Sequence, residues 1–218
     1  REMQLISKRH AHIIDHIDVI MVDVAGYRTF ALLMEGGNCD LFDYLQVHAP
    51  LSEAMLKDFV GQLLCAVSFL HLQHIFHNDI KIDNIIVCDN NTLKLTDFGL
   101  SHFSKRAFAF NSLKCDSNGR TRMLGSLSYL PTEDVATSRQ FTFRRDEWSV
   151  GVTIFCMAYN AMLQSNKTHL NNLMDFVRTK KQRATFAERM FLPTPPISWV
   201  EALLHRLIRI PPQSIKVV

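Results

Sequence analysis

Two short motifs constrain this chain more than any other feature of its sequence. The first is H-N-D-I-K-I-D-N at residues 77–84, and the second is D-F-G at residues 97–99. Together they place two carboxylates, a lysine and an amide on segments that two loops can bring together. Transfer of a phosphoryl group to a hydroxyl needs this set, because one carboxylate orients the hydroxyl and accepts its proton while the amide and the other carboxylate hold magnesium. The two motifs in this order and at this separation are far more specific than D-F-G alone.

The composition is that of an ordinary globular protein of 218 residues, with 47% apolar and 21% charged residues. The net charge of +3 and the pI near 8.6 are too small to predict a nucleic-acid partner. The longest apolar run, residues 148–163, is shorter than the roughly 20 residues that a membrane span needs. We therefore expect no nucleic-acid partner and no membrane partner.

Five scattered cysteines indicate the compartment. Their number is odd, which excludes a complete disulfide framework, and none lies in a C-x-x-C pair. This usage predicts reduced thiols in a cytoplasmic or nuclear protein. Because the chain begins with Arg1 rather than methionine, we expect it to be a fragment or to be trimmed at its N-terminus.

Hydrophobic periodicity predicts strands near the N-terminus and a mostly helical body after them, which is an α+β architecture. The predicted strands are residues 12–14, 19–22 and 30–34, with a turn near 25–27, and a hairpin of 85–87 and 93–95 around residues 89–91. The predicted helices are residues 52–73 with Ser52 as N-cap, 146–163, one or two within 168–190, and 199–210. Residues 100–128 predict a long loop.

The two motifs resemble H-x-D-x-K-x-x-N and D-F-G of the eukaryotic protein kinases. The resemblance covers nearly the whole chain and implies a two-lobe fold, with a truncated small β lobe at residues 1–35 and the large lobe at residues 36–218. The lysine two places after the aspartate of the first motif resembles the serine/threonine type. A narrower resemblance, to kinases of large DNA viruses of insects such as baculoviruses, rests on the H-N-D-[ILV]-K form.

The resemblance implies a role for each motif residue. Asp79 would be the catalytic base, and Lys81 would contact the γ-phosphate of ATP. Asn84 and Asp97 would bind Mg²⁺. Asn78 stands where the family has an arginine that meets a phosphorylated loop residue, which predicts activity without that switch.

Further residues are implied in binding nucleotide and substrate. Residues 34–41 are similar to the hinge that binds adenine, and residues 125–133 are similar to the segment that receives the protein substrate. The implied nucleotide-binding residues are the backbone of Glu35, Gly36 and Gly37, the side chain of Asp40, and Glu2 as the small-lobe helix glutamate. In the substrate segment, Ser126 takes the place of a threonine that bonds the catalytic aspartate and lysine, and Glu133 ends the motif. Asp146 is implied to brace the catalytic loop.

Simpler interpretations exist for single residues. Asp79 and Lys81 would suit a surface ion pair, and Asn84 and Asp97 would suit turns. His77 is expected to be a packed, hydrogen-bonded histidine rather than an acid or base.

Two functions stay open from the sequence. One is an ATP- and magnesium-dependent serine/threonine kinase acting on a protein. The other is a non-catalytic module that binds and inhibits a kinase partner or its substrate, which the lack of a glycine-rich loop and of a small-lobe lysine would favour. A kinase of small molecules fits less well, because residues 125–133 resemble a peptide-docking segment.

Overall fold

The computed structural model describes residues 9–103, 126, 129, 143–158 and 198–207. Glu2, Glu133, the helices expected within 168–190 and most of the loop expected at 100–128 lie outside the described residues. The division between lobes at residues 35 and 36 stays a prediction.

The first element is an antiparallel hairpin of strands β1 (His16–Val24) and β2 (Tyr27–Met34), as the sequence predicts. Its turn is tight because Ala25 and Gly26 both have positive φ, at 50° and 80°. The strand expected at residues 12–14 is wrong. Residues 10–13 form a turn instead, so that Ile13 makes only a single parallel bridge to Leu95.

A second sheet contains three short antiparallel strands, β3 (Cys39–Asp40), β5 (Ile85–Cys88) and β6 (Thr92–Leu95), in the order β3-β5-β6. The predicted hairpin of β5 and β6 is confirmed, and its turn is made by Asn90 and Asn91, each with φ of 56°. Two-residue strands β4 (Ile75–Phe76) and β7 (His102–Phe103) form a third antiparallel pair. These two small sheets carry the loops on which the motif residues lie.

Helices α1 (Leu41–His48) and α2 (Glu53–Leu72) follow the first sheet. The sequence did not predict α1, which begins where Asp40 Oδ1 accepts the N–H of Asp43 at 2.7 Å. The N-cap predicted for α2 is confirmed, since Ser52 Oγ accepts the N–H of Met55 at 3.2 Å. Among the described helices α2 alone has the length and hydropathy of a membrane span. Seven of its residues are nevertheless buried, as in a helix packed inside a protein.

Helix α3 (Phe143–Ala158) is the central helix that the apolar run predicts. It begins three residues earlier than expected and is buried on nearly every side. Helix α3 contacts both α2 and α4 (Ser198–Leu207). The hydrophobic core therefore lies between these helices and the β3-β5-β6 sheet, directly beneath the loops at residues 77–84 and 96–100.

Candidate active site

The loop after β4 is fixed by a carboxylate from the central helix. Asp146 is fully buried on α3, and its two carboxylate oxygens accept the backbone N–H groups of His77 and Asn78, both at 2.8 Å. Its Oδ2 also lies 3.0 Å from Nε2 of His71. Hydrogen bonds from backbone N–H groups to an ionised carboxylate are stronger than neutral ones. The brace predicted for Asp146 is thus confirmed.

His77 joins this loop to the strand that leads into the second motif. Its Nε2 lies 2.9 Å from the carbonyl oxygen of Thr96, and its Nδ1 lies 3.3 Å from the backbone nitrogen of Asp79. An N–H must donate to the carbonyl and a lone pair must accept from the amide, so the neutral ring protonated on Nε2 satisfies both contacts. Burial lowers the pKa of His77, which keeps the ring neutral. The structural role expected for His77 is confirmed.

Asp79 is the centre of a hydrogen-bonded cluster of the predicted residues. Its Oδ1 accepts from both the backbone N–H and the hydroxyl of Ser126, at 3.0 and 3.1 Å. Its Oδ2 accepts from Nδ2 of Asn84 at 3.0 Å and pairs with Nζ of Lys81 at 3.3 Å. Lys81 also donates to the Ser126 hydroxyl at 3.0 Å. Four residues distant by up to 47 positions therefore meet at one carboxylate, which a surface ion pair would not require.

The cluster keeps Asp79 ionised. Burial on its own would raise the pKa of this carboxyl, but Lys81 and the donors from Ser126 outweigh burial and lower the pKa. A carboxylate that stays charged near neutral pH is able to orient a hydroxyl and accept its proton.

Asn84 and Asp97 are brought side by side through the backbone. The N–H of Thr96 donates to the carbonyl oxygen of Asn84 at 2.9 Å, which places Asp97 next to the Asp79 cluster. Asp97 has left-handed φ of 59°, and its Oδ1 accepts the N–H of Gly99 at 3.2 Å. Phe98 packs inward, with its ring centroid 4.8 Å from that of His77. The exposed carboxylate of Asp97 then faces a cleft rather than the core.

This cleft has a volume of about 620 Å³ and runs between the β1-β2 hairpin and the β3-β5-β6 sheet. That volume falls within the range of small-molecule sites, roughly 300–1,000 Å³. Its wall residues are apolar, and its polar residues include the carboxylates at positions 35, 40, 83 and 97. The apolar wall includes Ile14, Leu32, Met34 and Ile86. None of the described residues that line it is a lysine or arginine.

The predicted hinge residues border the same cleft, but two of them already have partners. The N–H of Glu35 donates to the carbonyl of Asp15 at 3.0 Å, and Glu35 Oε1 accepts from Nζ of Lys94 at 2.6 Å. Gly37 approaches so closely that an added Cβ would overlap Cγ2 of Ile86. Only the carbonyl of Glu35 and the backbone of the two glycines are therefore available to a ligand.

Asp40 lines the cleft as predicted, although its Oδ1 caps α1. Sequence reasoning missed Lys94, which holds the Glu35 carboxylate, and Asp83, an exposed carboxylate at the cleft. Lys94 is 59 residues from Glu35 and carries no local signal. Asp83 lies inside the first motif, where its position beside Asn84 would have been a signal.

Comparison with known proteins gives the same result as the geometry. A family model described as the protein kinase domain matches residues 1–214. The chain belongs to the protein kinase family. Its fold is accordingly the α+β fold of a kinase domain, and the prediction of the family is confirmed.

Several similar proteins are serine/threonine kinases by name. A probable serine/threonine-protein kinase MARK-B of Dictyostelium discoideum is 31% identical over 72% of this chain and 21% of its own length. Cyclin-dependent kinase 2 of Caenorhabditis elegans is 30% identical over 79% of this chain and 45% of its own length. The phosphorylase b kinase gamma catalytic chain, liver/testis isoform, of Mus musculus is 34% identical over 72% of this chain and 37% of its own length. The kinase domain described here thus spans less than half of each of these relatives.

Proposed function

We propose that this kinase domain transfers the γ-phosphate of ATP to a serine or threonine hydroxyl of a protein. The observation that carries the proposal is the Asp79 carboxylate, held ionised between Lys81, Asn84 and Ser126. A domain that only bound a partner would have no physical need for this cluster beside a cleft. The names of the similar kinases support the serine/threonine class.

Asp79 would act on the attacking hydroxyl. Each oxygen of its carboxylate is already fixed by two donors, so its orientation is set before a substrate arrives. Such preorganisation contributes to catalysis because little rearrangement is needed when the hydroxyl is aligned with the phosphate. Lys81, which is partly exposed beside Asp79, would place positive charge near the transferring group.

The residues present fit a magnesium site. The Asn84 amide nitrogen is committed to Asp79, which leaves its Oδ1 for a ligand, and the Asp97 carboxylate is exposed at the cleft. Carboxylate and amide oxygens are hard ligands of the kind that Mg²⁺ takes together with phosphates. Bound magnesium would neutralise phosphate charge during transfer. Asn84 and Asp97 are the residues that would hold it.

The adenine would enter between the apolar wall and the hinge. Leu32, Met34 and Ile86 offer flat apolar contact, and the backbone of Gly36 and Gly37 offers polar groups beside them. The described cysteines at positions 39, 65, 88 and 156 are free thiols, which supports a reducing compartment, the cytoplasm or nucleus.

The test is transfer of labelled phosphate from ATP to a basic protein, followed by identification of the phosphorylated amino acid. The domain and a version extended upstream in its gene are each compared with Asp97→Asn, and Asp58→Asn on the exposed face of α2 is the matched control. We expect phosphoserine or phosphothreonine that is lost in Asp97→Asn and retained in Asp58→Asn. Phosphotyrosine alone would contradict the acceptor class. Absence of transfer by both folded proteins would contradict the enzyme and support a partner-binding module instead.

A further inference from the structure

Asn78 lies between the two motif loops, and its side chain contacts both. It is 1% exposed. Its Nδ2 donates to the carbonyl oxygen of Leu100 at 3.0 Å and more distantly to that of Phe76 at 3.4 Å. We propose that Asn78 is a positioning residue, whose neutral amide holds the segment after D-F-G in place without a phosphate. This proposal deepens the proposed function, on which it rests.

The contact with Leu100 closes a short structural circuit. Leu100 ends the turn of residues 98–100, in which Ser101 N–H and hydroxyl both bond the carbonyl of Phe98, at 3.1 and 2.7 Å. Directly afterwards, β7 pairs with β4, whose last residue is Phe76. Asn78 therefore donates to the two places where the D-F-G segment and the catalytic loop run closest together. Asp97, three residues before Leu100, is held by the same turn.

The backbone at this position suits asparagine. Asn78 has left-handed φ of 66°, which asparagine tolerates better than other residues with a Cβ apart from aspartate. Its own N–H is bonded to Asp146, so the conformation is fixed from α3. A long cationic side chain would be strained here and would lack room in the buried site.

The other end of the amide indicates which atom matters. Asn78 Oδ1 is buried and has no hydrogen-bond partner. A buried acceptor without a partner is unfavourable, so an apolar side chain of similar size would be preferred if only packing were needed. The donor, not the acceptor, is what this position supplies, and its partner is a backbone carbonyl that is always present. Placement of the segment therefore needs no added phosphate.

The proposal is tested by amide hydrogen exchange of the magnesium- and nucleotide-free domain, which requires no catalysis. Asn78→Gly removes the side chain but keeps the left-handed backbone, and Asn78→Asp keeps the shape but turns the donor into an acceptor facing Leu100. Asn90→Gly is the matched control, because Asn90 has φ of 56° in the exposed β5-β6 turn. We expect exchange of residues 100–103 to become about tenfold faster in both Asn78 variants and to be unchanged in Asn90→Gly.

Three results would overturn the proposal. The first is unchanged exchange at residues 100–103 in Asn78→Gly. The second is equal loss of protection in α2 and α3, which would mean that Asn78 serves global stability only. The third is faster exchange of residues 100–103 in the wild-type domain after complete dephosphorylation, verified by mass. A wild-type domain without phosphate transfer would count against the proposed function, while the exchange result would still decide the role of Asn78.

Discussion

Asn84 donates its side-chain amide to both the backbone oxygen and Oδ2 of Asp79, at 2.8 and 3.0 Å. Both residues are buried, so the amide holds a carboxylate that would otherwise lack a donor. The same contact directs Oδ1 of Asn84 away from Asp79 and leaves it for a metal. One side chain thereby links the catalytic carboxylate to the proposed magnesium site.

Replacing this donor by a carboxylate should be costly. In Asn84→Asp, two carboxylates would face each other in a buried site, and we expect the free energy of unfolding to fall by about 3 kcal/mol. Denaturant titration measures this change. The control is Asn38→Asp, since Asn38 also donates to an aspartate, Asp89, but on the exposed surface. Equal effects of the two substitutions would show that burial of the Asp79 contact is unimportant.

Removing the charge of Asp146 should destabilise the catalytic loop. An amide in Asp146→Asn accepts through one atom only, so one of the two N–H groups from His77 and Asn78 would lose its partner. We expect a loss of about 2–3 kcal/mol of unfolding free energy, measured in urea. Glu147→Gln, the exposed neighbour on α3, should change the value by less than about 0.5 kcal/mol. A loss in Asp146→Asn no larger than that in Glu147→Gln would refute the brace.

Two adjacent glycines give a matched test of the hinge. A Cβ at Gly37 would overlap Ile86, whereas a Cβ at Gly36 meets nothing within 4 Å. Gly37→Ala should displace the backbone that borders the cleft and weaken ATP binding about tenfold, roughly 1.4 kcal/mol. Gly36→Ala should bind ATP as the wild type does. Titration calorimetry compares the two, and identical affinities would mean that this backbone does not contact the nucleotide.

His77 should make stability depend on pH. Burial lowers its pKa in the folded state below the model value of 6.5, so the unfolded chain binds the proton more readily. The contribution is therefore fully present above about pH 6.5 and is lost as the pH falls towards the folded pKa. Unfolding free energy measured from pH 7.5 to 5.5 should decrease more steeply in the wild type than in His77→Gln. Parallel pH profiles would argue against a buried neutral ring.

The sequence predicted the chemistry of the site better than its surroundings. Asp79, Lys81, Asn84 and Asp97 lie in two contiguous motifs, and short loops leave few ways to arrange them. The N-cap at Ser52 and the turn around residues 89–91 are local signals as well. These features could be predicted because residues near each other in the chain determine them.

Features that depend on distant residues could not be predicted. The pair of Glu35 and Lys94 joins positions 59 residues apart, and the contact of His71 with Asp146 joins positions 75 apart. Helix α1 has only eight residues, too few for a clear apolar period. The strand expected at residues 12–14 failed because a tertiary contact with Leu95, not its apolar run, decides its conformation.

The most direct test of the account separates binding from transfer in Asp79→Asn. The isosteric amide keeps the shape of the cluster but accepts a proton poorly, while Asn84 and Asp97 are unchanged. In the version extended upstream, we expect magnesium-dependent ATP binding to stay within about twofold of wild type, while single-turnover phosphate transfer falls by about 10²–10⁴-fold. Transfer at the wild-type rate in Asp79→Asn would contradict the assignment of Asp79 as the base and, with it, the proposed mechanism.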